Sequence, residues 1–524
     1  MVSTTASGTS QLRAEGNVVV FRGQRWLWLA LGGALSLLAV GGQWDIALAA
    51  WVAPVFLLRY SRTSKPVVAI FGIAIVLGAQ VAWSIFEAGV ALGVDRLAMS
   101  MAFGALYAIP FILDRVFAPR LGAIGRVFLF PAAVAAVEFG IASLLPTGAS
   151  VGTRVNTQAE NLALIQIISL IGPYAIGFLI ACGATVANQI WETPSRKALV
   201  AFGGSFVAVL LLITAYGQAR LASANPTAPG ETVKVAGVTP PQALRRPASR
   251  GVTMANFPPS AQSRASVESP EMEALYSQLQ DGLLADTRAA ARAGARIVVW
   301  SETGAQMLDA DKAPFLQRVS ALAREEHIYI DATVGVPFQR NESFLIGPDG
   351  RQLWHYRKNH PVPGMEPVAP FKNDAPTVAT PFGRLTNVIC YDADFPALSR
   401  VAADIMLLPG WDWPEEGYVH TMKVARLRAV ENGYSMIRVD FNGVSAAFDP
   451  YGRTVAMQST LRGDNFTMLA DLPIKGTPTL YNRIGDIFAW LCLTASLALC
   501  SLAVLGPSAR RLSEVERMRA RQQA

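Results

Sequence analysis

Seven apolar runs precede residue 217 and an eighth follows residue 483, at about 25–41, 44–58, 66–86, 97–114, 127–145, 162–190, 198–216 and 484–506. Most approach the ~20 residues that a helix needs to cross a ~30 Å hydrocarbon core. The chain is 52% hydrophobic and 16% charged, where soluble proteins carry about a quarter of their residues charged. A wholly soluble fold is therefore excluded. A wholly membrane-embedded one is excluded too, because residues 217–483 hold 27 Lys+Arg and 27 Asp+Glu. The expected organisation is a polytopic helical membrane domain of about eight spans interrupted by one globular insert. Residues 1–216 carry seven spans, 217–483 the insert, and 484–524 the eighth span with a basic tail.

The net charge of +7 does not mark a nucleic-acid partner. A phosphate-binding surface needs basic residues clustered on the folded domain, and the insert is neutral. The excess lies in short loops: Arg13, Arg22 and Arg25; Arg59, Arg62 and Lys65; Arg115, Arg120 and Arg126; Arg196 and Lys197; then Arg510, Arg511, Arg517, Arg519 and Arg521 in the tail. The opposite short loops hold only Arg96 and Arg154. By the positive-inside rule both termini are expected in the cytoplasm and the insert outside it. A polar stretch of about 24 residues precedes the first run and no small-residue cleavage site follows, so the first span is expected to act as an uncleaved anchor.

Within the insert, strands and helices alternate. TVKVAGV (232–238) and RIVVWSE (296–302) read as strands, with an amphipathic helix over 271–294 between them. A helix near 312–326, a strand near 328–335 and a Pro-Asp-Gly hairpin over 343–358 follow. Then come a buried strand LTNVIC (385–390), a helix near 418–432, and strands at 434–440 and 443–448. This order predicts an α/β sandwich with helices on its outer faces. The stretch 239–270, rich in Pro, Ser, Ala and Arg, shows no periodicity and reads as a long surface loop or lid.

Of four cysteines, Cys182, Cys492 and Cys500 lie in apolar runs, where a thiol is a small hydrophobe. Cys390 alone falls in the insert, at a strand end before YDADFP. It is either a core residue or a nucleophile exposed beside the N–H groups of the following turn. Glu302 ends one apolar strand and Lys358 another, the latter followed by NHPVPGMEP with a second acid, Glu366. A thiol needs a base, and a carbonyl under attack needs positive charge at its oxygen. Glu302 and Lys358 can supply these. Each could equally be half of a structural ion pair.

The order VVWSET, HYRKNHPVPGMEP, ICYDADFP is similar to the Glu–Lys–Cys arrangement of the nitrilase, or carbon–nitrogen hydrolase, superfamily. Seven spans, such an insert and one closing span together resemble the apolipoprotein N-acyltransferases. The segments RLRAVENGYSMIRVDFNGVSAAFDPYGR (426–453) and QIISLIGPYAIGFLIACGATVANQI (166–190) extend the likeness. The resemblance implies Glu302 as general base, Lys358 as oxyanion stabiliser and Cys390 as nucleophile. Glu366, Tyr391 and Asp392 fall on supporting positions, with the Tyr391 backbone N–H as an oxyanion donor. It implies an acyltransferase of the bacterial plasma membrane that uses no cofactor. Its acyl donor would be a phospholipid and its acceptor the amine of a lipoprotein diacylglyceryl-cysteine, joined through a cysteine thioester. The competing reading is a membrane-bound nitrilase-type amidase whose thioester is taken by water. Asp392 stands where the family usually has Glu, and 239–270 lacks the family's Trp. The fifth run (VEFGIASLLPTGAS) lacks the family's Arg and Phe-Pro-Trp.

His327, His355, His360 and His420 show no metal-ligand spacing, and neither CxxC nor HExxH occurs, so no metal is expected. His360 reads as a loop hydrogen-bonder, and Arg428 with Glu431 as an i, i+3 ion pair. Trp411 and Trp413 in PGWDWPEE suit an arm at the membrane interface.

Overall fold

The computed structural model describes residues 24–150, 152–223, 231–461 and 466–505. Arg13, Arg22 and the five tail arginines lie outside these residues. Among the described residues, six helices are long and apolar enough to cross a membrane: Pro66–Glu87, Val94–Arg120, Ala123–Leu144, Tyr174–Glu192, Arg196–Ser223 and Ile487–Leu505. The first two apolar runs form shorter helices, Gln24–Leu37 and Ala47–Thr63, of 14 and 17 residues. The run 162–190 is not one span. Gly172, at φ 83, and Pro173, which has no N–H to donate, separate Leu162–Ile171 from Tyr174–Glu192.

Charge sorts the two ends of the helix bundle. Arg62 pairs with Asp114 at 2.7 Å and with Glu192 at 3.4 Å, and Arg115 donates to the Ser64 carbonyl at 3.1 Å. These gather the basic loops at one end. The insert docks on the other, where Lys423 donates to the Gly42 carbonyl at 2.7 Å, Tyr418 to Glu160 at 2.9 Å, and Trp413 to the Ala88 carbonyl.

The insert is built from two mixed sheets. One runs β13 (Phe466–Pro473), β1 (Thr232–Thr239), β2 (Ile297–Trp300), β4 (Tyr329–Val336), β5 (Arg340–Ile346), β6 (Gln352–Arg357), with β3 (Ala305–Gln306) pairing β4. The other runs β12 (Thr454–Ser459), β11 (Val444–Phe448), β10 (Ser435–Phe441), β9 (Ile405–Trp411), β8 (Gly383–Asn387), β7 (Thr377–Thr380). Strands β1, β2 and β4 are mutually parallel, as are β8, β9 and β10. Alternation along β2 shows the layering. Ile297 and Val299 join Val235, Leu407, Ile437 and Val439 in the core between the sheets. Val298 and Trp300 pack with Leu283, Phe315 and Val319 of the outer helices Pro270–Arg292 and Lys312–Glu326. A strand buried on both faces reads as a continuous apolar run, as IVVW does.

The structure revises further expectations in the insert. The segment 239–270 is not a bare loop: it contains helices Gln242–Ala248 and Ala261–Val267, and Arg245 within it is fully buried. Strand β8 stops at Asn387, so Cys390 lies in the turn beyond it. The helix near 418–432 contains a π-helical segment, His420–Ala425.

Candidate active site

Glu302, Lys358, Cys390 and Asp412 follow the C-terminal ends of β2, β6, β8 and β9, the edge where α/β sheets ordinarily bind ligands. At Glu302 the backbone N–H bonds to the Gly410 carbonyl at 3.1 Å, joining the two sheets, and Thr303 turns away at φ 45. The Glu302 Oε1 accepts from Asn341 Nδ2 at 2.6 Å and from Lys358 Nζ at 2.7 Å. The β5–β6 hairpin fixes this, because the Lys358 N–H also bonds to the Asn341 carbonyl at 2.9 Å. Glu366 accepts a second bond from Lys358 Nζ, and its carboxylate is held by the Val362 N–H at 3.2 Å. Burial alone would depress the Lys358 ammonium, but Glu302, Glu366 and Cys390 outweigh it and hold it well above its usual range. Burial and the Glu302 charge raise Glu366 against the pull of Lys358.

Cys390 opens a tight turn, Cys390–Asp394, at φ 50, and is 2% exposed. A left-handed backbone at a non-glycine residue costs energy and clusters at functional sites. Asp392 secures this turn. Its Oδ2 accepts from the Tyr356 hydroxyl at 2.8 Å, and its Oδ1 accepts from the His360 N–H at 2.8 Å and faces His360 Nδ1 at 3.0 Å. The Cys390 turn is thereby bonded to the residues just after Lys358. His360 also stacks on Phe395, with ring centroids 3.6 Å apart. From the membrane side, Gly148 at φ 54 approaches so closely that a Cβ would stand 2.6 Å from the Asp394 carbonyl oxygen. The Tyr391 hydroxyl donates to the Thr147 carbonyl at 3.2 Å. The Cys390 thiol is pushed up to about 11 by burial first and then by the Glu302 and Asp412 charges, against the opposing pull of Lys358 and His420.

A second cluster on the other side of the sulfur was not read from the sequence. Asp412 Oδ1 lies 3.9 Å from Cys390 Sγ and 3.0 Å from His420 Nδ1, while His420 Nε2 meets Asp394 Oδ2 at 2.5 Å. Arg438, fully buried in β10, donates to Asp412 Oδ2 at 2.7 Å and reaches Asp440 at 3.5 Å. Burial would raise Asp412, but Arg438 and His420 hold it well below the carboxylate range. Burial and Arg438 would lower His420, but Asp394 and Asp412 hold it well above its usual value. The visible signals were a charge in the buried run MIRVD and an acid between two tryptophans. Donor atoms of Cys390, Asp412 and His420 lie within 4.8 Å of one another, close enough to share a metal ion. The Arg438 Nη2, 2.7 Å from Asp412, 3.0 Å from His420 Nδ1 and 3.9 Å from Cys390 Sγ, already puts a positive charge there, so the set does not fit a metal.

Two cavities meet at this site. Cys390, Tyr391 and His420 line one together with Val40, Ile85 and Met99 of the membrane helices and their loops. Glu302, Asn341 and Glu366 line the other, which belongs to the insert. Trp411, Asp412 and Trp413 border both. The tryptophans are thus part of the cleft wall rather than a free interfacial arm. The buried Arg245 lies 4.1 Å above the Trp411 ring and bonds to Thr303 beside Glu302.

Residues 262–477 match the carbon-nitrogen hydrolase family, and residues 31–186 match the apolipoprotein N-acyltransferase N-terminal domain. An apolipoprotein N-acyltransferase of Geobacter metallireducens is 27% identical over 451 residues, spanning 79% of this chain and 80% of its own. One of Bradyrhizobium diazoefficiens is 28% identical over 396 residues, 68% of each chain. Among solved structures, an amidase from Nesterenkonia sp. aligns at 17% identity and TM-score 0.38, covering 51% of this chain and 98% of its own. With both of the family's domains present, in chain order and on a multi-pass helical scaffold, the chain belongs to the apolipoprotein N-acyltransferase family.

Proposed function

We propose that this chain moves an acyl chain from a phospholipid to the N-terminal amine of a lipoprotein diacylglyceryl-cysteine, through a thioester on Cys390. The observation that carries the reading is the cavity at Cys390, walled jointly by the insert and by residues of the membrane helices and their loops. A lipid ester can reach such a nucleophile without leaving the membrane surface. The basic loops at the far end of the bundle favour the insert facing out of the cytoplasm, where lipoproteins are matured.

Glu302 takes the thiol proton as the sulfur attacks the ester carbonyl. Both of its strong hydrogen bonds fall on Oε1, which leaves Oε2 to receive that proton. The ammonium of Lys358 and the Tyr391 N–H face the tetrahedral oxyanion. Collapse breaks the ester C–O bond, and the departing lysophospholipid oxygen takes the proton from Glu302. The acceptor amine then attacks the thioester, Glu302 removes its extra proton, and that proton returns to the leaving sulfur. Glu366 positions Lys358, and Asp392 positions both the nucleophile turn and the Lys358 segment. The deciding experiment supplies phospholipid labelled in the acyl chain and a diacylglyceryl-cysteine peptide. Label in the peptide amide supports the reading, whereas label released as free acid with the peptide untouched would favour an amidase.

A further inference from the structure

We infer that Arg438 is a fixed cation for the Cys390 sulfur, so that two different positive charges serve the two atoms that become negative during the reaction. This rests on Cys390 acting as the nucleophile. Lys358 cannot serve both atoms. Its ammonium is already engaged by Glu302 and Glu366, and in the mechanism above it turns to the carbonyl oxygen. The sulfur becomes anionic at the same moment as the proton leaves it, and again when it departs from the acyl group.

Arg438 is built for that second task. It is fully buried in β10, and its Nη2 stands 3.9 Å from Cys390 Sγ. Asp412 anchors the same nitrogen at 2.7 Å, and Asp412 is itself fixed by the Asp440 carboxylate accepting its N–H at 3.0 Å. A guanidinium stays protonated at any working pH. The Arg438 Nε and Nη1 are buried without a hydrogen-bond partner among the described residues. His420 completes the arrangement, clamped between Asp394 and Asp412. Its charge offsets part of theirs.

The titratable and charged groups facing the sulfur are Glu302 after β2, Lys358 after β6, Asp412 after β9, His420 on its helix, and Arg438 in β10. Replacing Arg438 removes one of the positive charges without touching the base. The test is the rate of Cys390 alkylation by iodoacetamide, followed by mass spectrometry on the full-length detergent-solubilised protein from pH 7 to 11. It needs no phospholipid. Arg438→Gln should move the profile up by a pH unit or more, a tenfold or greater loss of rate at pH 8. Arg438→Lys keeps the charge on a one-point head drawn to Asp412, and should give a smaller upward shift of a few-fold. A purely structural role would lower the folded fraction and leave the profile of the folded protein in place. If the glutamine variant does not fold, the lysine variant decides. A folded variant of either kind whose profile superimposes on the unsubstituted protein overturns the assignment. A failure of acyl transfer with the expected alkylation shifts would instead overturn the proposed function alone.

Discussion

The Lys358 ammonium lies 2.7 Å from Oε1 of Glu302 and also donates to Glu366. One cation bridges two acids. Lys358→Met keeps the stem and deletes the charge. Loss of one oxyanion stabiliser typically costs ~10²–10³ in rate. Single-turnover measurements should show that loss in both thioester formation and aminolysis, because each passes through a tetrahedral intermediate. Glu366→Gln should cost less, since it leaves the ammonium in place. A silent Lys358→Met beside a dead His360→Ala would point to a Cys–His mechanism instead.

Burial and the neighbouring acids push the Cys390 thiol up to about 11, and in the proposed mechanism Glu302 takes its proton. A raised thiol pKa means that thiolate is scarce at pH 7 and grows as pH rises. In Glu302→Gln, thioester formation should be slow at pH 7 and climb about tenfold per pH unit over the next units, as solvent replaces the base. The unsubstituted protein should show a flatter profile. Parallel profiles for the two would remove Glu302 from the base role.

Asp392 is fully buried and accepts from Tyr356 and from three backbone N–H groups, those of Asn359, His360 and Ile389. Asp392→Asn replaces one acceptor oxygen by a donor facing donors, which costs roughly 1–3 kcal/mol. The apparent Tm should fall and thioester formation should slow together, because the same bonds hold the Cys390 turn and the Lys358 segment. A Tm loss with an unchanged thioester rate would limit Asp392 to a structural role.

Much of this arrangement could be read in the linear chain. Apolar runs announce themselves by length, and RIVVWSE and MIRVD are strands buried on both faces with a charge left over. Glu302, Lys358 and Cys390 are visible because an ionisable or nucleophilic group at the end of such a strand needs a reason. The Asp412–His420–Arg438 cluster was not legible, because it joins a loop, a π-helical segment and a strand that only the sandwich brings together. The edge strands β7, β12 and β13 were missed for a related reason, since segments such as TVAMQS alternate too weakly to stand out, and the central strand β9 was missed as well. In 239–270, the helix QALRRPA is hidden by its own proline, and Arg245 is buried against Trp411, which lies far away in sequence.

Topology has its own test. A reporter inserted near residue 350 should behave as extracytoplasmic and one after Gln523 as cytoplasmic, given the basic loops at the end of the bundle opposite the insert. The reverse labelling would put the active site in the cytoplasm and remove the lipoprotein as acceptor.

The central claim is that Cys390 carries the acyl group between donor and acceptor. Intact-mass spectrometry of the purified protein after incubation with phospholipid, without an amine acceptor, measures it directly. The account predicts a mass gain of one acyl chain, lost on adding hydroxylamine or the acceptor peptide, localised to Cys390 and absent from a folded Cys390→Ala variant. An adduct that persists in Cys390→Ala, or acyl transfer by that variant at an unchanged rate, would contradict it.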